Sequence, residues 1–124
     1  MGSMLIEIVV DCADPPALAR WWSEVLGGWP VTDDPRGLSW ISATCGYDQL
    51  PILVFVPVPE AKAGKNRVHF DVSPSGADQA EELERLLGLG ATRADVGQTG
   101  DEGFLVLADP EGNEFCLLGR RVDR

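Results

Sequence analysis

The sequence repeats one order of predicted elements, and this repeat limits the folds open to the chain more than any other feature. In residues 4–58 a β-branched stretch is followed by an amphipathic helix and by three further short strands. In residues 67–120 the same order returns, although the two copies match by overlaid elements rather than by identity. The period is roughly 60 residues. The chain is therefore predicted to be a tandem βαβββ repeat.

The predicted boundaries follow from alternation, capping residues and turn-forming residues. In the first copy we expect a helix from the N-cap Asp14 to the stop at Gly27-Gly28, with strands at 4–12, 29–32, 37–43 and 50–58. In the second copy we expect a helix from a capping-box-like start at Ser75 to the glycines Gly88 and Gly90. Its strands are predicted at 67–73, 91–96, 103–108 and 113–118. The polar, Pro- and Gly-containing residues 59–66 are predicted to connect the copies.

One face of each predicted sheet carries polar residues. Glu7 and Asp11 share a face of the first strand, and His69 and Asp71 share the matching face in the second copy. The overlay places Glu7 on His69. A single helix in each copy covers only one sheet face, so the polar face must meet a partner sheet or line a cavity. This is the first inference that points toward function.

Composition and charge exclude several classes of function. The 124 residues fit one domain, predicted to span 4–120, with residues 1–3 as a tag remnant. Ten Lys and Arg against 20 Asp and Glu give a net charge of −10, which disfavours nucleic acid and anionic membranes and attracts a cationic small molecule. The longest apolar stretch, 51–58, is far shorter than the ~20 residues of a membrane span. Cys12, Cys45 and Cys116 form no Cys-x-x-Cys pair, so we expect a reducing cytoplasm rather than a disulfide framework or zinc ribbon.

Three local motifs carry a family resemblance. The first helix ends in Leu26-Gly27-Gly28, the second copy opens with Lys65-Asn-Arg-Val-His-Phe-Asp71, and its hairpin carries Asp109-Pro-Glu-Gly-Asn113. With the repeat, these motifs resemble the vicinal oxygen chelate superfamily, in particular its small glyoxalase-like domains. Members include glyoxalase I, extradiol dioxygenases, fosfomycin-resistance transferases and bleomycin-binding proteins. The resemblance implies an α+β fold in which two βαβββ modules form a curved mixed sheet around a cup, with the helices outside, and a homodimer.

The resemblance also implies positions for a metal. Carried over residue by residue, the ligand positions fall on Glu7, Val56, His69 and Cys116. Val56 cannot bind a metal, and Cys116 stands where the family commonly has Glu. A set of Glu7, His69 and Cys116 could bind zinc with water completing the shell, whereas the oxygen- and nitrogen-rich site for nickel, manganese or iron is damaged. The cofactor therefore stays open, with a divalent metal as the candidate.

Each remaining candidate has a functional and a structural interpretation. His69, the single histidine, is either an acid or base near neutral pH or a structural partner of Glu7. Cys116 is either a ligand or a small buried hydrophobe. Trp40 either stacks on a planar ligand or packs in the core. Asp11 and Asp71, near the ends of their strands, either bind an amine-bearing ligand or are simply exposed to solvent. The candidate ligand-binding residues are Asp11, Trp40, Val56, Asp71, Glu114 and Cys116.

Three functions follow as hypotheses. The first is a glyoxalase-like protein with an incomplete metal site that binds a small organic ligand, either sequestering it or acting on it by acid–base chemistry through His69, with Glu7 as the second candidate catalytic residue. The second is a metal-dependent lyase, isomerase or dioxygenase that uses Glu7, His69 and Cys116. The third is a non-catalytic interaction module.

Overall fold

The computed structural model describes residues 1–43 and 49–123, so Cys45, between the strands predicted at 37–43 and 50–58, lies outside the described residues. The chain divides into two compact units, Met1–Ala61 and Lys62–Arg124, and the division along the sequence falls in the predicted connector, residues 59–66. Each unit contains one helix and one four-stranded mixed sheet. This arrangement confirms the predicted α+β class and the tandem βαβββ order. Among the described residues, no helix combines the length and the apolar character that spanning a membrane requires.

The first unit is built around strand β4. Its elements are β1 (Glu7–Cys12), α1 (Pro15–Val25), β2 (Val31–Asp33), β3 (Ser39–Ile41) and β4 (Ile52–Pro57). The sheet order is β1-β4-β3-β2, in which β1 runs parallel to β4 and the other pairs are antiparallel. Helix α1 packs against β2, β3 and β4. Its Leu18 and Trp22 are buried, as are Ile41 and Phe55 of the sheet.

The ends of α1 are those that the sequence predicts. The Asp14 carboxylate accepts a hydrogen bond from the Ala17 amide at 3.2 Å, and Pro15 occupies the first helical position. At the other end the Gly28 amide donates to the Ser23 carbonyl at 2.8 Å and the Gly27 amide donates to the Glu24 carbonyl at 3.2 Å. Gly27 has φ of 84°, so this is a Schellman motif with glycine in the left-handed region.

The second unit repeats this topology. Its elements are β5 (Phe70–Val72), α2 (Gln79–Leu89), β6 (Thr92–Arg93), β7 (Leu105–Ala108) and β8 (Glu114–Leu117). The sheet order is β5-β8-β7-β6, with β5 parallel to β8. Phe115, Leu117 and Leu107 are almost completely buried, and the Gln79 side chain joins the first turn of α2 to the Leu117 carbonyl at 3.2 Å. The elements that flank β8 therefore occupy the same places as those that flank β4.

Three predicted boundaries in the second unit were wrong. The strand predicted at 67–73 is only Phe70–Val72, so His69 lies just before it. Helix α2 begins after Asp78, whose carboxylate accepts from the Glu81 amide at 2.9 Å, and not at Ser75. Gly76 has φ of 78°, a conformation that no right-handed helix contains, so the helix cannot start before it. The strand predicted at 91–96 is only Thr92–Arg93. The Ala94 amide still donates to the Val106 carbonyl, but the Val96 amide donates to the Gln98 side chain and the Gly97 amide donates to the Asp95 carboxylate, so the chain leaves the ladder there.

The hairpin between β7 and β8 has the predicted turn. The Gly112 amide donates to the Asp109 carbonyl at 2.9 Å, and Gly112 has φ of 89°. The buried Asp109 carboxylate accepts hydrogen bonds from the Glu111 amide and from both the backbone and side-chain amides of Asn113. This turn fixes where β8 begins and therefore where Cys116 lies.

Candidate functional site

Three side chains that bear metal-binding or acid–base groups come together in the second unit. Asp71 in β5 and Cys116 in β8 are ladder partners, and His69 lies directly before β5. His69 lies outside this ladder, but its imidazole contacts the Asp71 carboxylate, so the two side chains meet on one side of β5. One donor atom from each of His69, Asp71 and Cys116 lies within 4.8 Å of the other two. We call these three residues the β5–β8 cluster.

His69 and Asp71 form an ion pair if the imidazole is protonated and a hydrogen bond if it is neutral. The distance from His69 Nε2 to Asp71 Oδ1 is 3.2 Å, with 43% and 49% of the two side chains exposed. The carboxylate orients the imidazole ring, as partners of functional histidines do. Both side chains remain accessible to a ligand from solvent. Asp71 was predicted as a ligand-binding residue but not as the partner of His69, although the His-x-Asp spacing already carried that signal.

Cys116 is the inner member of the cluster, with 9% of its surface exposed. Burial raises the pKa of its thiol, and the nearby Asp71 carboxylate raises that pKa further through its charge and a hydrogen bond. The Lys65 ammonium acts in the opposite direction. Near neutral pH the side chain is thus a protonated thiol, so it is a poor nucleophile. Neither Cys116 nor Cys12 forms a disulfide.

Glu114 lies two residues before Cys116 on the same face and binds Lys62 and Asn66 of the connector, residues 59–66. Lys62 Nζ lies 2.6 Å from its Oε1, and the Asn66 amide donates to its Oε2 at 3.2 Å. Burial raises the pKa of Glu114, but the hydrogen bonds from Lys62 and from the backbone outweigh that effect and lower it. A ligand contact through Glu114 would have to replace these bonds. The Lys62 partner was not foreseen, because the spacing of two residues 52 apart carries no local pattern.

The candidates of the first unit lie on β1, β3 and β4. Glu7 and Asp11 are exposed on β1, and Asp11 pairs with Val56 in the parallel ladder. Trp40 is half-buried in β3 and pairs with Val54. The predicted Glu7–His69 pair and the predicted ligand contacts of Asp11, Trp40 and Val56 stay predictions.

Strand register shows which residue of the first unit corresponds to Cys116. Cys116 pairs with Asp71 on one side and Val106 on the other, and Val54 pairs with Val9 and Trp40 in the same way. The predicted overlay of Glu7 on His69 places Val9 on Asp71, and Val9 pairs with Val54 as Asp71 pairs with Cys116. By this register the counterpart of Cys116 is Val54, two residues before Val56 on the same face.

The metal site that the resemblance implies does not fit these residues. Neither Val54 nor Val56 has a donor atom in its side chain, and Cys116 supplies sulfur where that site uses oxygen. A site built on the family pattern would lack its ligand from β4. We therefore derive no reaction step through such a metal.

Comparison with known protein families decides where the chain belongs. A model of the glyoxalase-like domain matches residues 7–118. The chain belongs to the glyoxalase-like domain family. Membership confirms the resemblance to the vicinal oxygen chelate superfamily seen in the sequence. A comparison of this glyoxalase-like domain with curated proteins finds no match.

Solved structures share the fold of this glyoxalase-like domain at low identity. A possible glyoxalase from Bacillus cereus matches with 12% identity and a TM-score of 0.66, over 94% of this chain and 99% of that chain. The trypanothione-dependent glyoxalase I of Leishmania major matches with 13% identity and a TM-score of 0.59, over 95% and 87%. The oxidase ChaP-H1 matches with 20% identity and a TM-score of 0.60, over 96% and 97%. Such likeness shows the fold alone, because one fold hosts many chemistries.

Proposed function

We propose that this glyoxalase-like domain binds a small organic molecule on the face of β5 and β8 beside the exposed side chains of His69 and Asp71, and that His69 exchanges a proton with that molecule. The observation that carries the proposal is the 3.2 Å contact between His69 Nε2 and Asp71 Oδ1, with both side chains about half exposed. An oriented imidazole that a ligand can reach is the minimum that acid–base catalysis requires.

The chemistry of the pair suits proton transfer at neutral pH. An imidazole is the side chain that gains or loses a proton most readily in this range. Asp71 would hold the ring in one orientation and compensate the positive charge that develops when His69 accepts a proton. Reactions of this kind include the lyase and isomerase steps that move a proton next to a carbonyl group, which is the reaction class we favour.

Sequestration is the second candidate and uses the same face. A ligand held beside His69 and Asp71 without proton transfer would make the protein a binding protein rather than an enzyme. The hypothesis of a metal-dependent lyase, isomerase or dioxygenase on Glu7, His69 and Cys116 is less favoured. The reason is that the metal-ligand position of β4 holds a valine, whose side chain cannot bind a metal. No contact among the described residues favours the interaction module. The homodimer and the cytoplasmic location stay proposals.

The test is a ligand screen followed by kinetics in metal-free buffer. Small carbonyl compounds, amines and planar aromatics are screened by tryptophan fluorescence, and bound compounds are then assayed for conversion. We expect His69→Gln to lower kcat by about 10²- to 10⁴-fold while changing binding much less, since an acid or base acts mainly on the chemical step. Asp71→Asn should lower kcat to a smaller extent.

Matched controls are available on exposed positions. Glu84→Gln on α2 and Asp101→Asn in the loop before β7 remove exposed carboxylates away from the cluster, as Asp71→Asn removes one within it, and should leave kcat unchanged. Conversion that survives His69→Gln would refute the acid–base role. Binding without conversion in the unaltered protein would establish sequestration instead.

A further inference from the structure

We propose that the ammonium group of Lys65 holds the oxygen of a carbonyl substrate while His69 moves a proton on the carbon next to that carbonyl group. This role of Lys65 rests on the proposed function and deepens it, because it adds a catalytic residue from the connector. It also names the substrate class, which is an aldehyde or ketone with hydrogen on the adjacent carbon.

The connector brings Lys65 to the start of β8 through contacts on both sides of it in the sequence. Lys62 Nζ lies 2.6 Å from Glu114 Oε1, and the Asn66 amide donates a hydrogen bond to Glu114 Oε2 at 3.2 Å. Both contacts end on one carboxylate of β8. Residues 62–66 are therefore held against the first residue of that strand, and Lys65 is the direct neighbour of the anchored Asn66.

The charge of Lys65 acts within the β5–β8 cluster. Glu114 and Cys116 are two residues apart on the same face of β8, so their Cα atoms lie about 7 Å from each other. The flexible four-carbon stem of Lys65 can carry its ammonium group along this face from the Glu114 end. In agreement with this placement, the Lys65 ammonium lowers the pKa of the Cys116 thiol.

The ammonium group of Lys65 is available to a ligand. The residue is exposed, and its Nζ donates a hydrogen bond to the Asn66 carbonyl at 3.2 Å. Unlike Lys62, Lys65 forms no ion pair with a carboxylate among the described residues. Since an ammonium group carries three donor hydrogens, two of them are left for the oxygen of a substrate.

Proton transfer next to a carbonyl group needs a partner for the oxygen as well as a base. When the C–H bond breaks, its electron pair forms a carbon–carbon double bond and the π electrons of the carbonyl group move to oxygen, which gives an enolate. His69 takes the proton at Nδ1, because Asp71 faces Nε2. Lys65 donates a hydrogen bond to the enolate oxygen. Return of the proton to carbon regenerates the carbonyl group, so no oxidant or further reactant is consumed.

The other groups of the cluster do not stabilise the enolate. The Asp71 carboxylate repels a negative charge that develops on the substrate oxygen. The Cys116 thiol is a weak hydrogen-bond donor, and it already shares a hydrogen bond with Asp71. The Lys65 ammonium therefore supplies the positive charge that offsets this repulsion.

The experiment measures binding of para-nitrophenol to the full chain in metal-free buffer. Its phenolate resembles an enolate and absorbs visible light, so the spectrum separates bound phenolate from bound phenol. We expect the phenolate to bind more tightly than the phenol, against the net charge of −10 of the chain. Lys65→Met should weaken phenolate binding about tenfold and phenol binding much less, because a nearby positive charge favours the ionised form alone.

Two variants serve as controls for charge and for structure. Lys65→Arg keeps the positive charge and should keep most of the phenolate affinity. Arg120→Ala removes an exposed cation of the same unit outside the connector and should bind the phenolate like the unaltered protein. Circular dichroism checks that each variant folds. For any aldehyde or ketone that the protein converts, Lys65→Met should lower kcat at least about tenfold and change KM less.

Three results would overturn the role of Lys65. The first is an unaltered protein that binds the phenolate no more tightly than the phenol. The second is phenolate binding that Lys65→Met leaves unchanged, and the third is an equal loss in Arg120→Ala, which would assign the effect to overall charge. The proposed function fails separately, if His69→Gln retains conversion in the ligand assay. The phenolate titration does not require His69 to act as a base, so the two failures are distinguishable.

Discussion

At the level of single side chains, Cys116 responds to two nearby charges of opposite sign. The Asp71 carboxylate adds to the effect of burial and raises the pKa of the thiol, whereas the Lys65 ammonium lowers it. A thiol with a raised pKa is protonated near neutral pH and becomes a thiolate only under alkaline conditions. The pH dependence of the reactivity of Cys116 therefore measures the influence of Asp71 and of Lys65 on its thiol.

We expect Asp71→Asn to lower the pKa of Cys116 and Lys65→Ala to raise it. The reason is that the first change removes a negative charge that opposes the thiolate, and the second removes a positive charge that favours it. The rate of alkylation is measured against pH in a Cys12→Ser, Cys45→Ser background, in which Cys116 is the only thiol. Unchanged pKa values in both variants, or shifts of the opposite sign, would contradict this account of the cluster.

Asp109 gives a second prediction at this scale. Its buried carboxylate accepts hydrogen bonds from the Glu111 amide and from two groups of Asn113. Asp109→Ala leaves these donors without their acceptor, and we expect the free energy of unfolding to fall by about 2–3 kcal/mol. Urea denaturation measures this loss. The exposed Asp101→Ala serves as the control and should change the value by no more than about 0.5 kcal/mol.

At the level of elements, the two helices end in the same way. In α2 the Ala91 amide donates to the Leu86 carbonyl at 3.0 Å, and the Gly90 amide donates to the Leu87 carbonyl at 3.1 Å. Gly90 has φ of 110°, so it occupies the left-handed position that Gly27 occupies after α1. Gly88, two residues earlier, is inside the helix and has no positive φ. Gly90 thus needs the left-handed backbone conformation that glycine allows, whereas Gly88 adopts a helical conformation that other residues also adopt.

Alanine substitutions at these two glycines should have opposite effects on stability. Gly90→Ala places a Cβ in the left-handed region and should cost about 1–2 kcal/mol. Gly88→Ala meets no atom within 4 Å and should stabilise by about 0.5–1 kcal/mol, because alanine is the better helix former. Urea denaturation of both variants measures the difference. Equal effects would mean that α2 does not end at Gly90.

The sequence predicted the order and type of the elements better than their ends. Alternation and capping residues identify a strand or a helix, but a helix starts at whichever polar side chain reaches the first amides, and here Asp78 rather than Ser75 does so. The cluster was predicted in part, since alternation placed His69 and Asp71 on one polar face and the family resemblance placed Cys116 among the ligand positions. The alternation of side chains along a strand cannot show whether Val54 or Val56 corresponds to Cys116, because residues two apart lie on the same face of the sheet. Only the ladder resolves that choice.

At the level of the whole molecule, the repeat preserves topology while the chemistry diverges. With Glu7 overlaid on His69, Val9 and Val54 hold the ladder positions in the first unit that Asp71 and Cys116 hold in the second. The backbone ladder is common to both, but only the second unit pairs a histidine, a carboxylate and a thiol. Duplicated topology therefore does not imply duplicated function, and the candidate chemistry resides in one half of the chain.

The net charge of −10 gives the whole chain a negative electrostatic field. A field of this sign favours cationic ligands, and its reach falls with salt, from about 30 Å at 0.01 M to about 3 Å at 1 M. For two probes of the same shape, one with an amine and one with a hydroxyl group, we expect the amine to bind more tightly at low salt. Its advantage should shrink several-fold at high salt.

Fluorescence titration of the two probes at both salt concentrations measures this ratio, since the chain carries four tryptophans as reporters. Asp71→Asn removes a charge at the cluster itself and should reduce the preference for the amine more than Glu84→Gln, which removes an exposed charge from α2. If both variants lose the same amount of the preference for the amine, that preference comes from the overall field of the chain. If salt leaves the preference unchanged, short-range hydrogen bonds recognise the amine instead. The predicted combination, a salt-dependent preference concentrated at Asp71, would locate the ligand on the face of β5 and β8.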